Sequence, residues 1–311
     1  MSRRIVAADA FGHVAVAMGG VAAEREVSLK SGAAVVAALQ AAGVQAEGVD
    51  WADDPVAVLA SGRFDRIFNV VHGRGGEDGQ LQALARAYGI PVTGSDVLAS
   101  ALAMDKWRTK LCWQGAGLPT PSWRMLESPA DVQACAAEGI FPLMVKPALE
   151  GSSIGMSRVA SADALLPAWE LARQYDSPVF AERWIHGREY TVAVLDGEAL
   201  PAIRLETPNA FYDYEAKYLL DSTRYHCPAG LDAGAEATLG ALALAACAVI
   251  GVRGWGRVDF MQDDAGSFWL IEVNTVPGMT DHSLVPMAAR AAGLDFGQLC
   301  WRILETTCSG H

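Results

Sequence analysis

The first hundred residues alternate short apolar runs with longer helix-like stretches, and this alternation restricts the fold more than any other feature. The run HVAVAMGG (13–20) predicts a buried strand that ends in a glycine turn, and residues 24–43 predict a helix that a glycine stops. DRIFNVVHG (65–73) predicts a second buried strand, and LQALARAYG (81–89) predicts a second helix. Strands that alternate with helices form parallel sheets. The sequence therefore predicts an N-terminal α/β domain of about 100 residues.

Beyond Met104 the pattern changes to strands separated by glycine-rich loops. MDKWRTKLCWQGAG predicts a helix, and residues 142–159 predict two strands joined by a glycine and serine loop. Residues 234–250 predict another helix. Residues 209–230 have no clean period, which is typical of a long functional loop rather than a linker. The second part of the chain is therefore built differently from the first.

The charge balance argues against nucleic acids and anionic membranes as partners. The 311 residues include 36 acidic and 24 basic residues, so the formal net charge is −12. Phosphates of nucleic acids and anionic membrane surfaces repel an acidic chain. The composition favours a small-molecule substrate, although a local basic cleft can still hold phosphate.

Cysteine spacing and hydropathy indicate the compartment. The six cysteines are scattered, with no CxxC pair and no spacing typical of a zinc site. Such cysteines indicate free thiols in a reducing cytosol, and Cys227 is either a reactive thiol or, as is more common, a buried apolar one. The longest uncharged apolar run, residues 241–252, is shorter than the about 20 residues that span a bilayer. We therefore predict a cytoplasmic protein without membrane contact.

Near the C-terminus, GWGRVDFMQ and SFWLIEVNT flank the turn DDAG and predict a β-hairpin. If Asp263 pairs with Gly266, Arg257 lies directly opposite Glu272. A one-residue bulge in the turn would change this register.

The same register brings several polar side chains to one face of the hairpin. It places Asp259 opposite Leu270, and alternation along each strand then points Asp259, Glu272 and Asn274 to one side. Arg257 shares that side. Three oxygen-bearing side chains suit a hard cation such as Mg²⁺, which completes its shell with water and substrate phosphates. The alternative is that the acids pair with Arg257 and other basic groups, but the whole set, followed by proline and glycine, favours a metal.

A second group of residues suggests phosphate binding. Lys146 ends the apolar run PLMV, and EGSSIG follows within a few residues. Glycines let backbone N–H groups approach phosphate oxygens, and serine hydroxyls add donors. The spacing is not GxxxxGK[ST], so the loop is not a P-loop, and alone it is equally typical of a hairpin turn. Lys106 is a candidate second cation, the alternative being a solvated helix lysine.

With these residues in place, the sequence resembles the D-alanine–D-alanine ligase family of ATP-grasp enzymes across nearly the whole chain. Eight segments in the same order carry the resemblance and make it specific: GGVAAEREVSLKSG, HGRGGEDGQLQ, VTGSDVLASALAMDK, VKPALEGSSIGMS, FYDYEAKY, CPAGL, GWGRVDFM and EVNTVPGMTDHSLVPMAARAAG.

The resemblance implies both an architecture and a reaction. An N-terminal parallel-sheet α/β domain (1–105) precedes two α+β lobes (106–185 and 186–311) whose antiparallel sheets clasp ATP. ATP phosphorylates the carboxylate of one D-alanine, and the amine of a second D-alanine attacks the acyl phosphate. The products are D-alanyl-D-alanine for peptidoglycan, ADP and phosphate. The family further implies two Mg²⁺ ions, with Mn²⁺ as a substitute, and a homodimer.

The resemblance also assigns roles at the D-alanine end of the site. Glu24 would accept the ammonium of the first D-alanine, although glutamates at helix starts are usually dipole partners. Ser152 and Tyr218 would link to that glutamate through their hydroxyls. His72 would lie near the first substrate, although a histidine beside glycines is more often structural.

The remaining implied roles concern the second substrate, the transferred phosphate and ATP. Ser283 and the backbone of Leu284 would hold the second D-alanine's carboxylate, while Arg257 and the N–H of Gly278 would stabilise developing negative charge. The implied metal ligands are Asp259, Glu272 and Asn274, with Glu272 bridging two ions. The implied ATP contacts are Lys106, Lys146 and Lys217 for the phosphates, Glu182, Trp184 and Ile185 for adenine, and Glu189 for the ribose.

The loop over 207–221 would close over the site, because water hydrolyses an acyl phosphate. Two rival functions stay open. A D-alanine–D-lactate ligase uses the same ATP chemistry, although EAKYL with Tyr218 resembles the dipeptide-forming type. A catalytically silent nucleotide-binding protein would normally lack a metal ligand or a phosphate cation, and no matched position is missing here.

Overall fold

A parallel sheet begins the chain and two antiparallel sheets follow it in the computed structural model, which describes residues 7–175, 177–207 and 223–308. Helices pack against all three sheets. The predicted α/β class is confirmed, including a parallel sheet in the N-terminal part and antiparallel sheets in the later part.

The N-terminal sheet has three parallel strands, and its central strand is buried on both faces. Val14 and Val16 of that strand are 0% exposed, which confirms the predicted buried run. The strands are β1 (His13–Met18), β2 (Gln45–Asp50) and β3 (Arg66–Asn69), in the order β2-β1-β3. The helices are α1 (Arg25–Ala41), α2 (Pro55–Ala60), α3 (Gln80–Ala87) and α4 (Val97–Met104).

Local signals predict α1 and miss β2. Helix α1 ends at Ala41, and Gly43 has a φ of 84°, the left-handed conformation that stops a helix. Strand β2 reads QAEGVD, without an apolar run, because it lies at the edge of the sheet and pairs only with β1.

The helix predicted from Met104 onwards is confirmed as one helix that begins at Lys106 and is separate from the helix before it. Helix α4 ends at Met104, and α5 covers Lys106–Gly115. Between them Asp105 has an extended conformation, and its side chain accepts a hydrogen bond from the Arg108 N–H. An aspartate at this position caps the new helix and ends the old one, so Lys106 begins α5.

The four-stranded sheet follows α5 and is antiparallel throughout. Its strands are β4 (Trp123–Met125), β5 (Leu143–Pro147), β6 (Ser157–Val159) and β7 (Val179–Arg183), in the order β4-β7-β5-β6. The accompanying helices are α6 (Pro129–Glu138) and α7 (Leu165–Ala172). Pro167 lies in the first turn of α7, where a missing N–H costs no helical bond, so the predicted helix forms despite it.

The six-stranded sheet contains the remaining strands. They are β8 (Gly187–Leu195), β9 (Glu198–Ala199), β10 (Ile203–Glu206), β11 (Arg224–His226), β12 (Trp255–Asp263) and β13 (Phe268–Asn274). Their order is β11-β10-β8-β12-β13, with β9 paired to β8. The helices are α8 (Ala233–Ile250), α9 (Leu284–Ala291) and α10 (Phe296–Glu305). Short 3₁₀ turns lie at Ala8–Phe11, Ala162–Ala164, Arg173–Tyr175 and Thr306–Cys308.

The predicted register of the β12–β13 hairpin is wrong. Arg257 lies opposite Asn274, where the prediction had Glu272. Asp259 lies opposite Glu272, where the prediction had Leu270. Both pairs shift by an even number of positions, so these four polar side chains still share one face of the sheet.

Two irregularities cause the shift. The turn is one residue longer than predicted, because the Asp263 N–H donates to the Ser267 carbonyl at 2.9 Å. A bulge then follows between Asp259 and Phe260, where Ile271 of β13 has no partner on β12.

Helix α8 is, among the described residues, the one helix long and apolar enough to cross a membrane by length and composition alone. The apolar run that sequence alone judged too short is thus part of an 18-residue helix. Its buried residues Leu239, Ala243 and Ala246 pack in one cluster with Val258 and Leu270 of the six-stranded sheet. One face of the helix therefore packs against that sheet, and 28% of its apolar window is buried.

One hydrophobic core joins the N-terminal sheet to the six-stranded sheet. Phe68 of β3 and Trp255 of β12 belong to the same buried cluster. The Arg66 guanidinium also donates to the Thr307 carbonyl at 3.0 Å, which ties the last helical turn to β3. The four-stranded sheet has a separate core that includes Val145. The four-stranded sheet therefore packs around a core of its own, separate from the core that the other two sheets share.

A pH-dependent ion pair fastens α1 to β2. Arg25 donates to both carboxylate oxygens of Asp50, and this bond lowers the pKa of Asp50 from 3.8 to about 2. A depressed carboxylate pKa stabilises the fold above the unfolded pKa and loses that effect as pH falls towards the folded one. We expect Asp50→Asn to lower the free energy of unfolding by about 1 kcal/mol at pH 7, since the pair is partly exposed and screened.

That difference should shrink to about half at pH 3, where the wild-type carboxylate is partly protonated in the unfolded chain. Urea unfolding of both proteins between pH 7 and pH 3 measures it. A difference that stays constant with pH would show that the ion pair does not contribute.

Candidate active site

Two cavities share one wall residue, because Glu272 of β13 lines both of them. The first has a volume of about 470 Å³ and the second of about 100 Å³. The predicted site residues that line the first are Glu24, His72, Lys106, Ser152, Arg257, Glu272, Asn274, Gly278, Ser283 and Leu284. Those that line the second are Lys146, Glu182, Trp184, Ile185, Glu189, Asp259 and Glu272.

Every predicted site residue within the described ranges therefore lines one of the two cavities. Lys217 and Tyr218, and the predicted closing loop over 207–221 apart from Thr207, lie outside the described residues.

The Glu24 carboxylate turns into the first cavity instead of capping its helix. Glu24 precedes α1, yet its side chain makes no capping bond there. The Ser152 hydroxyl, from the loop after β5, donates to Glu24 Oε1 at 2.9 Å. A Cβ atom on Gly73 would lie 2.8 Å from the other oxygen, Oε2, so glycine leaves room for the carboxylate. This arrangement argues against the role of a simple dipole partner.

The His72 ring connects two loops at the edge of the first cavity. Its Nδ1 lies 3.0 Å from the Val276 carbonyl, which can only accept, so Nδ1 carries the proton. Its Nε2 then accepts from the Ser31 hydroxyl at 3.3 Å. The Glu77 carboxyl, 3.8 Å from Nδ1, is partly buried in the wall of the first cavity, and burial raises its pKa. Sequence reasoning did not single out Glu77, although it follows HGRGG directly.

Asp259 forms an ion pair with Arg257, a contact that the ion-pair alternative considered for the acids expects. Arg257 donates from Nε to Asp259 Oδ1 at 2.8 Å and from Nη2 to Oδ2 at 2.7 Å. The Thr191 hydroxyl also donates to Oδ1, at 2.6 Å. Oδ1 thus accepts two bonds and Oδ2 one, so Oδ2 retains a lone pair for a cation. Thr191 lies on β8, opposite Asp259, and sequence reasoning missed it because its role depends on strand pairing.

The other two proposed metal ligands are also partly engaged. Lys106 Nζ lies 3.4 Å from Glu272 Oε2 and donates to the Glu150 carbonyl at 2.7 Å. Asn274 Oδ1 accepts from the Val276 N–H at 3.0 Å.

The oxygen donors fit a magnesium ion that shares its shell with phosphates. No group of three or more His, Cys, Asp or Glu side chains that could hold a metal occurs in the described part of the chain. Asp259, Glu272 and Asn274 offer two carboxylates and one amide, all on one face of the hairpin. Mg²⁺ typically takes one or two carboxylates and completes its octahedron with water and substrate phosphates. The set is therefore incomplete for a metal alone and suitable for a metal bound with a nucleotide.

The second cavity combines apolar walls with buried charge. Met144, Ile185 and Phe260 line it, which suits a flat aromatic ring. Lys146 and Glu182 also line it, and both are only 3% exposed.

The start of α9 provides backbone donors at the far end of the first cavity. Ser283 precedes the helix, and the first N–H groups of a helix have no intrahelical partner. The Ser283 hydroxyl accepts from the Thr280 N–H at 2.9 Å. A Cβ atom on Gly278 would lie 2.8 Å from Ser283 Oγ, so glycine is required for this approach. Such an end can bind a carboxylate.

Comparisons with known proteins agree on one family. The family model described as D-ala D-ala ligase C-terminus matches residues 112–305. A D-alanine–D-alanine ligase from Methylococcus capsulatus (strain Bath) is 64% identical over 307 residues, which covers 99% of each chain.

Solved structures give the same result. The D-alanine–D-alanine ligase from Bacillus anthracis complexed with ATP is 31% identical, with a TM-score of 0.83, and the match covers 95% of this chain and 97% of that one. The VanG D-Ala:D-Ser ligase from Enterococcus faecalis is 30% identical, with a TM-score of 0.83 and coverage of 95% and 99%. The chain therefore belongs to the D-alanine–D-alanine ligase family of ATP-grasp enzymes.

Proposed function

We propose that this protein joins two D-alanine molecules into D-alanyl-D-alanine, with ATP as the energy source, for peptidoglycan precursor synthesis. The observation that carries the proposal is the pair of cavities that meet at Glu272. One offers carboxylate, guanidinium and helix-end groups for an amino acid, and the other offers apolar walls and buried lysines for a nucleotide.

ATP binds with its base in the second cavity. The apolar side chains contact the ring, Glu182 accepts from the adenine amino group together with the backbone near Trp184 and Ile185, and Glu189 binds the ribose. The phosphates extend towards the first cavity, where Lys106 and Lys146, together with Lys217, place positive charge beside them.

Asp259, Glu272 and Asn274 would hold Mg²⁺, or Mn²⁺ in its place, and Glu272, which lines both cavities, would be the ligand that two ions share. When bound, the metal neutralises phosphate charge and favours in-line transfer. Lys106 keeps the Glu272 carboxylate directed at the junction of the two cavities.

The first D-alanine binds with its ammonium at Glu24 and its carboxylate towards the terminal phosphate. The Ser152 hydroxyl holds the Glu24 carboxylate for this contact, and Tyr218 is proposed to join it. Oxygen of the substrate carboxylate attacks the γ-phosphorus, and the bond to ADP breaks. Arg257 stabilises the charge of the phosphoryl group during transfer.

The second D-alanine binds with its carboxylate at the start of α9, on Ser283 and the Leu284 N–H. Its neutral amine attacks the acyl carbon, and phosphate leaves the tetrahedral intermediate with the proton that the nitrogen releases. Arg257 and the Gly278 N–H donate to the oxyanion of that intermediate, where each such donor contributes about 3 kcal/mol.

The test is an assay of ADP release with purified protein, Mg²⁺, ATP and D-alanine, with the product identified by mass. We expect release that depends on D-alanine and yields the dipeptide. Competition with D-lactate and D-serine tests the related ligases, and a dominant ester or a D-alanyl-D-serine product would contradict the proposal. ADP release without D-alanine dependence would support the catalytically silent alternative.

We further propose the division into residues 1–105, 106–185 and 186–311, a cytoplasmic location and a homodimer. The break at Asp105 supports the first boundary, and the scattered free cysteines support the location. Light scattering on the purified protein tests the dimer, and a mass of one chain would contradict it.

A prediction for the ammonium site is that Glu24→Gln raises the KM for D-alanine at least about tenfold, with the KM for ATP little changed. The reason is that an amide cannot pair with an ammonium as a carboxylate does. Glu26→Gln is the matched control, because Glu26 lines the same cavity. An equal rise in both variants would assign the effect to general cavity charge rather than to Glu24.

A further inference from the structure

Three charged side chains are buried together beside the second cavity. Lys110 of α5 is 0% exposed, and Lys146 and Glu182 are each 3% exposed. Lys110 Nζ lies 2.7 Å from Glu182 Oε2, and Lys146 pairs with the other oxygen, Oε1. Lys146 and Glu182 line the cavity, whereas Lys110 does not. Lys110 therefore acts on a ligand through Glu182.

The Lys110 ammonium is held by the side chains of Glu182 and Thr120. Lys110 lies one turn after Lys106 on α5, so both lysines project from the same helix face. Its Nζ donates to the Thr120 hydroxyl at 2.8 Å, and that hydroxyl donates to the Leu270 carbonyl of β13 at 2.9 Å. Burying a lysine costs free energy even when its ammonium has such partners. A functional role for Lys110 would explain why the protein carries this cost.

The cluster keeps Glu182 ionised. Burial raises the pKa of Glu182, but the positive charges of Lys110 and Lys146 outweigh burial and hold the pKa below 4.5. Within the described residues, Oε2 has no polar partner besides the Lys110 ammonium, which lies 2.7 Å away. The carboxylate therefore retains lone pairs for a donor from a ligand.

We propose that Lys110 is a positioning residue that selects the nucleotide base: it fixes Glu182 so that the second cavity accepts a purine with an amino group at position 6. This inference rests on the proposed function, in which that cavity holds the base of ATP. A carboxylate can only accept hydrogen bonds, so it binds the amino group of adenine and repels the carbonyl that guanine carries there.

Removal of Lys110 weakens this selection. In Lys110→Met the side chain keeps its length and loses its charge. Lys146 is then the one lysine of the pair left to lower the pKa of Glu182, while burial still raises it. A protonated carboxyl group can donate as well as accept, so it tolerates a carbonyl. We expect the ratio of the GTP Kd to the ATP Kd to fall about tenfold or more, the usual range for one discriminating hydrogen bond.

The experiment is calorimetric titration of ATP and GTP, each with Mg²⁺, into wild type, Lys110→Met and Arg124→Met. Arg124 is the matched control, a basic residue of the same sheet that pairs with exposed Glu138 outside the cavity. Its Kd ratio should stay within twofold of wild type. A folded Lys110→Met protein with an unchanged ratio overturns the proposal.

A second comparison covers the case in which Lys110→Met does not fold. Glu182→Gln and the double variant Lys110→Met/Glu182→Gln both lack the Glu182 carboxylate, so neither buries it unpaired. Because Lys110 is proposed to act through that carboxylate, the two variants should show equal Kd ratios within twofold. A further change of fivefold or more in the double variant overturns the proposal, because Lys110 would then act by another route. Nucleotide binding is measured without D-alanine, so a failure of D-alanine-dependent ADP release is a separate result about the proposed function.

Discussion

Glu272→Gln should retain the fold and lower kcat at least about a thousandfold. Glutamine keeps the volume of glutamate and removes the charge from a residue that lines both cavities. The proposed metal site then has one carboxylate, Asp259, which Arg257 already neutralises. The contact of Glu272 with Lys106 is 3.4 Å long and partly exposed, so its loss should change stability little.

Two measurements test this expectation. The ADP-release assay gives kcat, and Mn²⁺ titration followed by electron paramagnetic resonance, in the presence of a non-hydrolysable ATP analogue, gives the number of bound ions. We expect fewer tightly bound ions in the variant. Glu189→Gln is the matched control, because Glu189 lines the second cavity only and should affect the KM for ATP. A Glu272→Gln protein with a near-normal rate would remove Glu272 from the metal site.

The sequence predicts the elements whose signals are local. The apolar run of β1 and the glycine stop of α1 are readable because burial and a left-handed turn each depend on a few neighbouring residues. The edge strand β2 has no such signal, since one neighbouring strand and the backbone define it.

The hairpin register is a harder case, because it depends on a third strand. Strand β12 pairs with β8 without a shift from Trp255 to Asp263, so its backbone is fixed from that side. The mismatch in length falls on β13, where Ile271 bulges and lines the second cavity. The turn sequence alone holds no information about this constraint.

In the candidate site, too, the sequence predicts some features and misses those that depend on contacts between distant residues. The resemblance to a family identified residues that line the cavities, because these residues lie within matched sequence motifs. A sequence match carries no information about the contacts between motifs. The resemblance did not find how these residues are held: Ser152 reaches Glu24 across 128 residues of sequence, and Lys110 reaches Glu182 from another element. Lys110 lies four residues after Lys106, but a buried lysine has the same helical spacing as a solvated one. Only the packing of α5 against the sheets distinguishes them.

Arg257→Ala should lower kcat by about a hundredfold to a thousandfold and change the KM for ATP less than about threefold. The guanidinium lines the first cavity and is held there by two hydrogen bonds to Asp259. Its proposed contacts, with the transferred phosphoryl group and the oxyanion, strengthen as charge develops, so they contribute to the transition state more than to the bound substrates.

The difficulty is that Arg257 also orients Asp259, so its loss can act through the metal site. Mn²⁺ titration separates the two effects: a catalytic role predicts nearly normal ion binding in Arg257→Ala, and a purely orienting role predicts weaker binding. Arg257→Lys is the matched variant, because lysine keeps the charge and cannot form the two parallel bonds. It should recover part of kcat. A rise in KM with kcat unchanged would assign Arg257 to ground-state binding and contradict its role in stabilising the transition state.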